Sequence, residues 1–237
     1  MSRRRLTRED SRDRTTRRLL NAARKLIARK GLSDTTLDDI AEEAGYTRGA
    51  FYSNFGSKAD LFIELLRRDH EATNAQLRAL RSESVPLEHI QRCIRKIHGQ
   101  LYGTDESFMN WAEARMLAAR DAKFRARLDA LLVERRAEVA ELIRYVYGRL
   151  GVAPPVAATA LAMGFNSLLE GVKLNMLCSP GRTTPEDAES VLRLFVDSLV
   201  QVARVQALES REKTGELSER KAASQSHNGA RSASDQL

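Results

Sequence analysis

Prolines, cysteines and aromatic side chains are all scarce in this chain of 237 residues. With 5 prolines and 5% aromatic residues, the composition favours helices over a β-sandwich, because strands are enriched in aromatic and β-branched side chains. Hydrophobic residues still make up 42% of the chain. That content and the length predict a folded protein of one or two domains.

The two cysteines, Cys93 and Cys178, lie far apart and outside any CxxC or Cys/His motif. This spacing argues against a structural zinc site or a disulfide framework and fits a reducing cytosol. No apolar run follows the N-terminal arginines, and the sequence has no continuous apolar stretch of about 18 residues. We therefore expect a cytoplasmic protein with no bound metal, no signal peptide and no membrane span.

Positive charge is concentrated at the N-terminal end. The chain has a formal net charge of +7, and residues 1–30 hold 12 Lys and Arg against 3 Asp and Glu. Such an arm either contacts nucleic acid or is a solvated, disordered tail. An anionic membrane surface is the less favoured partner, because the arm is poor in apolar side chains and residues 38–43 are rich in acidic ones.

Motifs of catalysis are missing from the sequence. It contains no P-loop, no Gly-x-Gly-x-x-Gly, no Gly-x-Ser-x-Gly and no Glu-x-x-His. Histidines that could act as a general base are scattered, at His70, His89, His98 and His227. We expect no enzyme activity and no cofactor.

Apolar spacing and helix-breaking residues predict successive helices and no strand. The first runs from about 11 to 30 with Gly31 as its C-terminal cap, the second begins after Thr36, and Gly45 and Gly56 bound a short third one. A long fourth helix follows Ser57. Further helices are predicted at about 87–103, 105–120, 122–150, 154–178 and 185–209, and the polar segment 210–237 is predicted to be disordered.

The second and third of these helices, with the turn between them, have the pattern of a helix-turn-helix. In the third, "RGAFYSNF", Phe51 and Phe55 share the core-facing side, because each residue advances about 100° around a helix. Gly49 and Ser53 point the other way, so the helix backbone can lie deep in a DNA major groove. Arg48, at its N-terminal end, can offer two hydrogen bonds to a guanine edge.

The stretch "ARKLIARKGLSDTTLDDIAEEAGYTRGAFYSNFGSKADLF" resembles the front end of the TetR-type bacterial transcriptional repressors. The resemblance covers about residues 15–66. It implies contacts with DNA phosphates or bases for Thr36, Thr47, Arg48, Gly49, Ala50, Tyr52, Asn54 and Lys58. At position 54 the family usually has histidine, so asparagine keeps the hydrogen bonding but carries no charge. Similar arms in some members enter the minor groove, which is our hypothesis for Arg3, Arg4 and Arg5.

The same resemblance implies an all-α fold in two domains. A basic flexible arm at 1–10 precedes a three-helix DNA-binding domain at 11–56, and a helical-bundle domain for dimerisation and effector binding occupies 57–209. Small residues in the helix at 154–178 and repeated apolar residues at 185–209 predict a four-helix interface between two copies of the chain. The alternative is that both helices belong to the core of one protomer.

In this family the second domain binds a small ligand. Large apolar side chains and a few polar ones could line its pocket, with ordinary core packing as the alternative for each: Tyr102, Phe108, Trp111, Glu113, Phe165 and Asn166. We therefore predict a homodimeric repressor that a small apolar or amphipathic ligand releases from a palindromic double-stranded DNA operator. A TetR-like protein that binds many DNA sites without ligand control is the alternative.

Overall fold

The computed structural model describes residues 7–81, 86, 88–90, 92 and 104–234, with side chains as far as 210 and at 212. Arg3, Arg4, Arg5, Tyr102 and most of the helix predicted at 87–103 lie outside these residues. Within them the chain forms helices and no strand: α1 (Arg8–Asp34), α2 (Leu37–Glu43), α3 (Arg48–Tyr52), α4 (Lys58–Ala79), α5 (Asp105–Arg120), α6 (Ala122–Arg149), α7 (Ala158–Cys178) and α8 (Pro185–Ser234).

A continuous hydrophobic core joins the front three helices to the rest of the chain. Leu19 and Ile40 are fully buried at its front end, between α1 and α2. The long helix α4 extends the core, since its Leu65 is also fully buried and its Phe62 stacks on Phe124 of α6 with 5.9 Å between ring centroids. Burial on this scale is the main stabilising contribution to such a fold.

Local hydrogen bonds decide where α1 begins and where it is interrupted. It begins at Arg8, three residues before the predicted start, because the Thr7 side chain accepts from the Asp10 N–H and the Asp10 carboxylate accepts from the Thr7 N–H. Gly31 then leaves helical geometry, with φ 80° and ψ 163°. A single turn from Leu32 to Asp34 follows, so the predicted stop at Gly31 is an interruption.

The C-terminal end of the chain differs from the prediction. The segment 210–237 is predicted to be disordered, but α8 continues as helix to Ser234. Its sequence is low in large apolar residues, the basis of the disorder prediction, yet contains Ala, Glu, Lys and Arg, which favour helix. No helix in the described part of the chain is long and apolar enough to cross a lipid bilayer.

Candidate nucleic-acid interface

A tight turn fixes α2 against α3. Gly45 has φ 72°, in the left-handed region that favours glycine. The N–H groups of Gly45 and Tyr46 donate to the carbonyls of Glu42 and Ala41, at 2.9 and 2.8 Å, which is the Schellman arrangement of a helix C-terminus. These hydrogen bonds close the end of α2, and Tyr46 and Thr47 alone separate the turn from α3.

Threonines cap both helices of this motif. The Thr36 hydroxyl accepts from the Asp39 N–H at 3.1 Å, in the predicted capping box, and the Thr47 hydroxyl accepts from the Ala50 N–H at 3.4 Å. Both threonines are exposed. Because capping uses an acceptor lone pair, each hydroxyl keeps its O–H to donate to an outside acceptor such as a phosphate.

The short helix α3 has one buried side and one bare side. Phe51 is fully buried and Phe55 is 8% exposed, whereas Gly49 and Ser53 are exposed. A Cβ added at Gly49 would have the Thr47 Oγ1, at 3.7 Å, as its nearest neighbour. The protein could therefore accommodate a larger side chain at position 49, although the sequence has glycine there.

Charged side chains on the motif are arranged in pairs. The Arg48 guanidinium lies 3.2 Å from the Asp38 carboxylate and 3.4 Å from the Tyr52 hydroxyl. Lys30 of α1 lies 2.7 Å from Asp39 and, through this hydrogen bond, holds the pKa of that carboxyl well below its usual range. Two carboxylates of α2 are thus partly neutralised by neighbouring cations, which reduces their repulsion of a polyanion.

Asn54 and Lys58 make their hydrogen bonds inside the protein. Asn54 accepts from the Thr16 hydroxyl of α1 at 2.9 Å and donates to the Ala50 carbonyl at 2.7 Å. Lys58 donates to the carbonyls of Leu32 and Thr35, and burial lowers the pKa of its ammonium group. Both side chains therefore hold α3 and α4 against α1.

Among the described residues predicted to bind a ligand, Phe165 lies at a cavity and the others are described by their burial and hydrogen bonds. Phe165 lines an apolar cavity between α6, α7 and α8, whereas Phe108 and Trp111 are 3% exposed within the core. Asn166 is also buried, and Glu113 accepts a hydrogen bond from the Leu32 N–H of α1. Glu113 thus contacts the end of α1, a role that sequence spacing did not indicate.

The cavity beside Phe165 is lined by aliphatic side chains of α6 and α8, including Val139, Val146 and Val200. Its volume is about 60 Å³. The hydroxyl of Tyr147, which also lines it, donates to the Leu199 carbonyl at 2.9 Å. Among the described residues the lining thus offers dispersion contacts and no charge.

Family comparisons identify both halves of the chain. Residues 19–65 match the model of bacterial regulatory proteins of the tetR family, and residues 86–201 match the C-terminal model of BetI-type transcriptional repressors. The HTH-type transcriptional regulator TtgR of Pseudomonas putida is 39% identical over 100 residues, which are 41% of this chain and 45% of TtgR. The chain therefore spans less than half the length of this curated relative.

Solved structures share the fold over most of the chain. A putative transcriptional regulator from Saccharomonospora viridis in complex with choline has a TM-score of 0.64 at 22% identity, covering 78% of this chain and 96% of that one. The triclosan complex of SmeT, the repressor of the Stenotrophomonas maltophilia multidrug efflux pump SmeDEF, has a TM-score of 0.64 at 18% identity, covering 78% and 90%. At these identities the likeness concerns the fold alone.

The two family models together cover more than half of the chain. The first of them, over residues 19–65, includes the helix-turn-helix described above. They confirm the all-α architecture with a helical C-terminal domain. Proteins of this kind are transcriptional regulators, which confirms that the chain is not an enzyme. The chain belongs to the TetR family of bacterial regulatory proteins.

Proposed function

We propose that the chain is a cytoplasmic, homodimeric repressor that binds a palindromic DNA operator and is released from it by a small apolar ligand. The observation that carries the DNA-binding part is the bare side of α3, where Gly49 is exposed and has room for a side chain. An unused space on a helix that packs firmly on its other side is expected where a large partner must approach the backbone.

Exposed groups around that bare side take the proposed DNA contacts. Arg48 reads a base edge from the N-terminal end of α3, with Gly49 and Ala50 allowing the approach. Thr36, Thr47 and Tyr52, which is 51% exposed, donate to phosphates. Arg48 must leave its pair with Asp38, and the high exposure of both side chains, 58% and 66%, makes that exchange inexpensive.

Asn54 and Lys58 take a supporting part in this proposal. Their hydrogen bonds to Thr16, Ala50, Leu32 and Thr35 hold α3 and α4 in a fixed orientation relative to α1. A phosphate contact from Lys58 would require the ammonium group to leave backbone carbonyls. We therefore assign the uniform, sequence-independent part of the affinity to other cations.

Apolar side chains left exposed on α7 and α8 support a dimer. Leu194 is 70% exposed and Leu208 is 60% exposed on α8, and Met163 and Leu174 of α7 are about half exposed. Several large apolar side chains left exposed on two neighbouring helices are typical of an interface. A second copy of the same two helices would cover it, which gives two recognition helices for a two-fold symmetric operator.

The apolar cavity between α6, α7 and α8 is the proposed effector site. At about 60 Å³ it is far smaller than the pockets of about 300–1,000 Å³ that hold drug-sized ligands. A ligand would therefore have to separate these helices, and that displacement is the proposed signal to the DNA-binding domain. Of the two ligands in the related structures, the aliphatic lining suits triclosan, which has no permanent charge, better than cationic choline.

DNA binding is tested by fluorescence anisotropy of the full-length protein on labelled DNA from upstream of its own gene, across a salt series. A scrambled duplex of the same composition is the control. We expect tight binding to the native fragment alone, with two protomers per site. Equal binding to both duplexes would contradict an operator in this fragment and would favour the multi-site binder without ligand control.

Ligand release is tested on the same complex with triclosan and choline as paired probes. We expect triclosan to lower the anisotropy and choline to leave it unchanged at equal concentration. Val139→Phe, which fills the cavity, should abolish the response, while Val133→Phe, on the exposed side of α6 at 56% exposure, should retain it. Release by choline alone would contradict an apolar effector.

A further inference from the structure

The segment from Gly31 to Thr35, here called the connector, includes the last turn of α1 and leads into α2. Both backbone polar groups of its Leu32 are held by charged side chains. The Leu32 N–H donates to the Glu113 carboxylate of α5 at 2.9 Å. The Leu32 carbonyl accepts from the Lys58 ammonium at the start of α4. A negative group holds the donor and a positive group holds the acceptor, which are the stronger, charge-assisted forms of a hydrogen bond.

The backbone conformation at Gly31 makes these two hydrogen bonds possible. Gly31 has φ 80° and ψ 163°, a conformation essentially restricted to glycine, and it turns the Leu32 N–H towards α5. A Cβ at Gly31 would lie 3.3 Å from the nearer carboxylate oxygen of Glu113. Lys58 also donates to the Thr35 carbonyl at 2.7 Å, so both ends of the connector are held.

We infer that Glu113 and Lys58 form a two-point clamp on the connector and couple the effector domain to the orientation of the recognition helix. The connector leads directly into Thr36, the N-cap of α2, and a short turn at Gly45, whose backbone hydrogen bonds cap α2, leads from α2 into α3. A shift of α5 relative to α4 therefore changes the orientation of α2 and α3 relative to the effector domain.

Contacts at the middle of α1 anchor that helix and do not involve the connector. Arg24 pairs with Asp69 of α4, and its carbonyl accepts from Asn110 of α5 at 3.0 Å. These contacts hold the body of α1 on the effector domain, more than a helical turn away from the connector. Because α1 is anchored there, a displacement of α5 around Glu113 acts on the connector and not on the body of α1.

The clamp rests on the proposed function, since it couples the effector domain to DNA binding. Trp111, the single tryptophan of the chain, reports on it. It lies on α5 two residues before Glu113, is 3% exposed, and has the Arg135 guanidinium 4.8 Å from its ring centroid. Coupling between two sites is reciprocal, so DNA bound at α3 should alter the emission of Trp111.

The test combines two readouts on full-length protein. Trp111 emission is recorded as the duplex is added, and hydrogen exchange is followed by mass spectrometry in peptides spanning 28–36. For Glu113→Ala we expect connector exchange about tenfold faster or more, since an N–H is left without its charged partner, and loss of at least half of the Trp111 response. Glu113→Gln, which keeps an acceptor oxygen, should give intermediate values. Glu106→Ala, at an exposed carboxylate of the same helix, is the control and should behave as the wild type.

Two outcomes would overturn the inference. One is a Glu113→Ala protein, folded by circular dichroism, with wild-type exchange in the connector. The other is Trp111 emission that does not change when DNA binds to the wild type, or that changes equally in Glu113→Ala and Glu106→Ala. If anisotropy shows no DNA binding at all, the proposed function fails, and connector exchange in the free protein still decides whether Glu113 holds the connector.

Discussion

Substitutions at Gly49 distinguish a role of this residue in the stability of the fold from a role in DNA binding. Glycine in a helix costs about 1 kcal/mol relative to alanine, and a Cβ at this position is 3.7 Å from its nearest neighbour, Thr47 Oγ1. We therefore expect Gly49→Ala to raise the free energy of unfolding by up to about 1 kcal/mol, less if the first turn of so short a helix gains little. A structural role for Gly49 predicts the opposite sign.

DNA affinity should change in the opposite direction. The added methyl group lies on the side of α3 that faces the major groove in our proposal, so it pushes the helix away from the base edges. One base contact contributes about 1–3 kcal/mol, so losing it weakens binding by roughly five- to 150-fold. Gly49→Leu should weaken binding further while its stability stays close to that of Gly49→Ala.

Thermal unfolding and anisotropy on the native fragment measure the two effects on the same samples. Gly148→Ala is the matched control, because Gly148 lies in α6, is exposed, and has no neighbour within 4 Å of an added Cβ. It should be stabilised without any change in DNA affinity. Wild-type affinity in both Gly49 variants would show that this side of α3 does not face DNA, and the proposed interface would have to be abandoned.

Four further substitutions test other parts of the structure. Arg48→Ala should lower affinity for the native duplex by about 1–3 kcal/mol and relax base preference, measured on a panel of single-base-pair variants. Gly45→Ala should destabilise the fold by about 1–3 kcal/mol because its φ of 72° is strained for alanine, as urea unfolding will report. Leu194→Glu should yield monomers in sedimentation experiments. Burial lowers the pKa of His70 to about 4, so stability should fall as pH drops from about 6.5 to 4, and His70→Gln should flatten that part of the pH profile.

Much of the front domain is predictable from sequence because its features are local. The Thr36 cap with Asp39 uses residues three apart, and the turn at Gly45 follows from a glycine directly after a short apolar-acidic helix. The buried and bare sides of α3 follow from helical periodicity alone, with Phe51 inside and Gly49 outside. Such interactions depend on spacing, which a single sequence displays.

The roles of Glu113, Lys58 and Asn54 are not predictable in that way. Their partners lie 81, 26 and 38 positions away along the chain, at Leu32 for the first two and Thr16 for the third. Which backbone group a charged side chain meets over such separations is decided by how whole helices pack. The sequence therefore placed all three among residues that contact DNA or ligand, while the structure ties them to α1.

These internal ties have a consequence for how the protein meets the charge of DNA. With Lys58 bound to backbone carbonyls, the exposed groups proposed to contact phosphate around α3 are neutral, namely the hydroxyls of Thr36, Thr47 and Tyr52. Counterion release requires cations at the phosphates, and its salt slope counts them. Among the described residues, the exposed Arg8 and Arg12 of α1 line a groove with Ala50 and Ser53. Exposed arginines follow them in α1 at Arg14, Arg17 and Arg18, and the sequence before them carries Arg3, Arg4 and Arg5. The salt dependence of binding should therefore come from α1 and the arm, while α3 supplies base preference. Removing residues 2–8 should lower the salt slope and leave the ranking of base-pair variants unchanged, whereas an unchanged slope would place the phosphate contacts back on α3 and α4.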